Sequence, residues 1–89
     1  MAGTKRWTVE IIIDEHEGRT FAEATLYTGD APPLTGTGRA RLSPDDDDIP
    51  EIGDEVAVAR ALNALGERLR RTTAEDIASV TREPVRLHR

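Results

Sequence analysis

Apolar residues alternate with polar ones through the first half of the chain and then recur at helical spacing. In residues 7–13, Trp7, Val9, Ile11 and Ile13 fall on one side at a period of two, with Thr8, Glu10 and Ile12 on the other. That is a strand pattern, and its β-branched content suits a pleated surface. Residues 14–18 read as a hairpin connection in which Gly18 can take a positive φ. Residues 19–28 form a second strand, with Ala22, Ala24 and Leu26 opposite Phe21, Glu23, Thr25 and Tyr27. A Gly- and Pro-rich turn at 29–33 leads to a third strand at 35–42. This strand alternates Gly38, Ala40 and Leu42 with Thr37, Arg39 and Arg41.

Beyond a loop at 43–49 the period changes. Val58, Leu62, Leu65 and Leu69 follow at spacings of four, three and four, one stripe of an amphipathic helix. Arg60, Ala64, Glu67 and Arg71 lie opposite, with Arg68 on the flank. Asp54 is the preferred N-cap, with Ile52 as a staple residue. A start near Asp48 is the alternative, since Asp48 and Glu51 have capping-box spacing and Pro50 suits a first turn. Thr73 and Asp76 form a second capping pair, which predicts a short second helix burying Ile77 and Val80 and ending near Arg82, ahead of Pro84.

The expected fold is therefore α+β, in the order β-β-β-α-α. A three-stranded antiparallel sheet carries one long and one short helix on one face. Trp7, Val9, Ile11 and Ile13 belong to the covered face, and the alanines of the second strand let the long helix sit close. The other face carries Ile12, Phe21 and Tyr27, which makes these the candidate dimer-interface residues. Edge-to-edge strand pairing is the competing geometry.

At 89 residues the chain is one domain, 1–89, with residues 1–6 expected to be flexible. Its core is thin, and without cysteine no disulfide or thiolate metal site can staple it. A homodimer is the expected source of further burial. No apolar run approaches the ~18 residues of a membrane span, and the first seven residues lack a signal-peptide core, so a cytoplasmic location is expected.

Charge divides the chain. Residues 1–55 hold 5 basic and 13 acidic side chains, and residues 56–89 hold 7 and 4. The overall −5 argues against a broad nucleic-acid footprint, but not against a local patch. Arg41, Arg60, Arg68, Arg70 and Arg71 are the candidate phosphate- or RNA-contacting residues. Charge balancing is the competing reading, since Glu67 and Arg71 stand at i, i+4 and arginines suit a helix C-terminus.

Other constellations carry no chemistry. The run Asp45–Asp48 diverges where a calcium loop must converge, and reads as a solvated lead-in to a helix. His16 and His88 are too few for a zinc site and lie in no nucleophile setting. Gly36-Thr37-Gly38 lacks the lysine and helix of a phosphate loop. No catalytic residue, metal, cofactor or small-molecule substrate is inferred, and the protein is expected not to be an enzyme.

Several segments resemble a family of small actinobacterial proteins. These are Trp7-Thr8-Val9, Asp14-Glu15-His16-Glu17-Gly18, Ala40-Arg41-Leu42-Ser43-Pro44, and Pro50-Glu51-Ile52-Gly53-Asp54-Glu55 followed by Val58-Ala59-Arg60-Ala61-Leu62. The family is known as a domain of unknown function and described as dsRBD-like, that is, like a double-stranded-RNA-binding domain. The resemblance runs from Trp7 to the C-terminus and implies a dimer related to dormancy- and hypoxia-associated proteins. It also implies a fold like that of ribosome hibernation-promoting factors, although residues 15–18 leave no room for the helix those factors carry between their first two strands. Arg41 and Arg60 carry over from the family pattern. The expected function is that of a stress or dormancy protein that binds the ribosome or its RNA and lowers translation. The alternative is a homodimeric module that regulates a protein partner without binding nucleic acid.

Overall fold

A computed structural model describes residues 3–41 and 49–82. Three strands, β1 (Thr8–His16), β2 (Arg19–Tyr27) and β3 (Leu34–Arg41), are followed by one helix, α1 (Pro50–Arg82). The sheet is antiparallel in the order β1-β2-β3. Its register pairs Ile11 with Ala24 and Ala24 with Gly36, so each row across the sheet keeps one face. The α+β class and the three-stranded sheet agree with the sequence pattern.

β1 and β2 join through two residues, with Glu17 at φ 49° and Gly18 at φ 73°. Positive φ at both central residues is the type I′ turn that suits the twist of a hairpin. The strand consequently runs through Asp14 to His16, beyond the expected end at residue 13.

The helix start follows the alternative near Pro50. Ile49 O accepts from Ile52 N at 3.1 Å and from Gly53 N at 3.4 Å, and Pro50 with its fixed φ opens the first turn. Asp54 is therefore inside the helix and not its cap, and its Oδ1 is buried without a hydrogen-bond partner among the described residues. Asp45–Asp48, Leu42 and Pro84 lie outside the described residues, as do Met1 and Ala2 of the segment expected to be flexible.

The second helix does not form. α1 runs unbroken through Thr73, whose hydroxyl donates to Leu69 O at 2.9 Å, and Thr81 does the same to Ile77 O at 2.8 Å. Each threonine satisfies its hydroxyl within the helix, so neither competes for a cap. Thirty-three residues at 1.5 Å each make a rod of about 50 Å over strands of about 30 Å. Ile77 and Val80, expected to be buried, are exposed on the distal part of the rod.

α1 packs mainly on β3, less on β2 and hardly on β1. Gly36 and Gly38 cause this. A Cβ on Gly36 would lie 2.2 Å from Leu65 N, and one on Gly38 would lie 2.2 Å from Ala57 O, so the helix backbone rests on bare strand backbone. The core is correspondingly small: Ala22, Ala24, Leu26, Ala57, Ala61 and Leu65. Val58 and Leu69 are only partly buried and Leu62 is exposed, because the buried stripe is centred on Ala57, Ala61 and Leu65. The largest correction concerns β1. Val9, Ile11 and Ile13 face the helix side but remain 42%, 39% and 39% exposed, and Trp7 is exposed beside them.

Two outcomes follow. Gly38→Ala must push α1 off the strand and should cost about 3 kcal/mol or more, read by urea unfolding. Glu17→Asn should stabilise by about 0.5–1 kcal/mol in the same assay, because Asn accepts the left-handed conformation that strains Glu.

Candidate interaction surfaces

The five candidate arginines do not form one surface. At 100° per residue, Arg60, Arg68 and Arg71 lie on one flank of α1, and Val58, Leu62 and Leu69 lie on the other. The first flank overhangs β3. Arg60 Nη1 donates to Arg39 O at 2.6 Å, and Arg68 Nη1 donates to Thr35 O at 3.3 Å. Both carbonyls belong to the outer edge of β3, where no further strand pairs among the described residues. These two guanidinium groups therefore guard a sheet edge. Arg70 pairs with Glu67 one turn back, so it is Arg70, not Arg71, that takes up Glu67. Arg71 is exposed on the β3 flank.

Arg41 stands elsewhere, at the end of β3 on the face away from the helix. The register sets it opposite Arg19, and sets Arg19 opposite His16, in one row. In the adjacent row Arg39 is opposite Phe21, with its Cζ 5.7 Å from the ring centroid. Arg19, Arg39 and Arg41 thus share this corner, and Arg39 lies over the Phe21 ring. Arg19 escaped the sequence reading because its strand position gains meaning only once the register places it against Arg41.

The candidate interface residues Ile12, Phe21 and Tyr27 also lie on this helix-free face. They are not contiguous: Ile12 neighbours Glu23, Phe21 lies between Asp14 and Arg39, and Tyr27 is opposite Thr8. The continuous apolar strip is on the other face, where Val9, Ile11 and Ile13 run beside the flank of α1 that carries Leu62. Sequence periodicity had found these residues and assigned them to the core.

A cleft of about 550 Å³ separates the hairpin end from the start of α1. Its walls set Arg19, Arg41 and Arg60, with His16, against Glu15 and Glu17, over the buried Thr20, so the arginine pair at the hairpin end also borders this cleft. Among the described residues no group of three or more His, Asp or Glu is placed to hold a metal ion. None of the described helix is long and apolar enough to cross a membrane.

A family model described as Rv2632c-like matches residues 5–86. The chain belongs to the Rv2632c-like family. It is 52% identical over 83 residues to the uncharacterized protein Mb1767 of Mycobacterium bovis, covering 93% of this chain and 87% of that protein. It is 41% identical over 81 residues to the uncharacterized protein Rv2632c of Mycobacterium tuberculosis, covering 91% and 86%. The crystal structure of Rv2632c superposes with a TM-score of 0.84 at 38% identity, covering 93% of this chain and 98% of that one. The resemblance read from the sequence therefore holds as membership of an actinobacterial family of uncharacterised proteins.

For this Rv2632c-like chain the edge-guarding role of the arginines is measurable. Arg60→Met and Arg68→Met keep the stem and lose the donors, at about 1 kcal/mol each. Thermal denaturation should show each variant melting roughly 4–8 °C lower. An unchanged melting temperature would return both arginines to the pool of free surface cations.

Proposed function

We propose that the chain is one protomer of a homodimeric, non-enzymatic binding module whose second copy covers the strip of Val9, Ile11 and Ile13. The inverted core supports this reading. Small alanines are fully buried, while the larger β-branched Val9, Ile11 and Ile13 stay about two-fifths exposed. Covering the remaining exposure of these three residues and Leu62 is worth about 5–10 kcal/mol over two protomers. Association costs about 4–15 kcal/mol, so the surplus has to come from Ile77 and Val80 on the overhanging helix and from the open edge of β1. A dimer at tens of micromolar in sedimentation equilibrium is the expected result, and a monomer there would overturn it.

The partner of this module is RNA, within the cytoplasmic ribosome, in the manner of a stress or dormancy factor that lowers translation. Support comes from the arginines gathered on the helix-free face and from the resemblance to dsRBD-like and hibernation-type proteins. Fold analogy is the weaker of the two supports. Purified protein should co-sediment with ribosomes at low salt, where phosphate contacts are strongest. If it does not, and a pull-down from RNase-treated lysate retains a protein, the reading passes to a module that regulates a protein partner.

A further inference from the structure

The geometry points to the helix-free corner of the sheet, formed by Arg19, Arg39, Arg41 and Phe21, as a binding site for single-stranded nucleic acid. This inference deepens the RNA reading above and rests on it.

Arg19 and Arg41 are directly opposite across β2 and β3. Like charges in that position are destabilising. Neither has an ion-pair partner among the described residues. The nearest acids on this face by register are Asp14 beside Phe21 and Glu23 one row further in, while Glu17 in the turn approaches His16 at 3.8 Å. The chain holds more acidic than basic residues in this half, yet the two guanidinium groups face each other. A phosphodiester between them would relieve that repulsion.

Arg39 makes the second half of the site. Its guanidinium carbon lies 5.7 Å from the centroid of the half-buried Phe21 ring, within reach of a cation–π contact. Aromatic rings and guanidinium planes both stack unpaired bases. A cationic row beside a stacking platform on an open sheet face is the arrangement that takes a single strand. An acidic peptide would meet the charges but leave the platform unused. Arg60 and Arg68 are left out of this site because each is anchored through one Nη1 donor to a carbonyl on the outer edge of β3.

The test is fluorescence anisotropy with a labelled twelve-residue oligouridylate at low salt. The variants are Arg19→Gln/Arg41→Gln, Phe21→Leu, and Arg71→Gln as a helix-flank control, each checked by circular dichroism and sedimentation for fold and assembly. The double variant should bind at least ~10-fold more weakly, and its log–log salt slope should fall by about 1.4, two phosphate contacts at ~0.7 each. Phe21→Leu should weaken binding ~5-fold or more. Arg71→Gln should stay within ~2-fold of the unmodified protein. If the protein binds the oligonucleotide but the double variant binds equally well, this site is overturned while the RNA reading stands. If the unmodified protein shows no binding and no ribosome co-sedimentation, both fall. Displacement by oligoglutamate at matched charge would also overturn the assignment to nucleic acid.

Discussion

The approach of α1 to Gly36 and Gly38 is the contact on which the rest of the molecule depends. A helix normally stands off a sheet by the length of its side chains. Here two missing Cβ atoms let helix backbone rest on strand backbone, with Ala57 and Ala61 filling what space remains. The closest approach is over β3, so the helix is drawn toward one side of a three-stranded sheet. That displacement, more than any hydrophobic preference, decides which apolar residues are buried.

Its consequences are opposite at the two edges of the sheet. On the β3 side the helix lies near enough for Arg60 and Arg68 to reach over and occupy outward carbonyls, closing an edge that would otherwise recruit another strand. On the β1 side the helix does not reach. Val9, Ile11 and Ile13 keep the alternation of core residues with only partial cover, and no strand pairs with the outer edge of β1 among the described residues. The lateral shift thus leaves one edge protected and one edge sticky, and sorts the arginines into structural and available sets.

Strand alternation, the turn at Gly18 and the amphipathic period of the helix were legible because each depends on local chemistry. The face assignment of the described strand residues was also right. The helix's lateral position was not legible, since it depends on the meeting of two glycines with a helix some twenty residues later. Periodicity treats Leu62 and Leu65 as one stripe, yet a helix seated on glycine buries a narrower one and leaves Leu62 out. The unbroken helix was missed for a different reason. Thr73 and Asp76 have the spacing of a cap, but a threonine hydroxyl bonded to the carbonyl four residues back is equally satisfied inside a helix. At the candidate site, Arg39 and Arg41 were visible as outward strand residues, whereas the juxtaposition with Arg19 needed the register.

The two surfaces inferred here lie on opposite faces of the sheet, and this bears on how they work together. Apolar cover over Val9, Ile11 and Ile13 comes from the helix side, so it leaves the corner of Arg19, Arg39 and Arg41 in water. An isologous dimer repeats every feature about its twofold axis. In the proposed dimer one modest cationic corner would become two, and two weak phosphate contacts on one strand would bind with the gain of an intramolecular second step. On that proposal a net-negative chain would need no broad basic footprint to hold RNA. The acidic remainder of the surface opposes nonspecific adhesion and confines contact to the places where guanidinium groups are gathered.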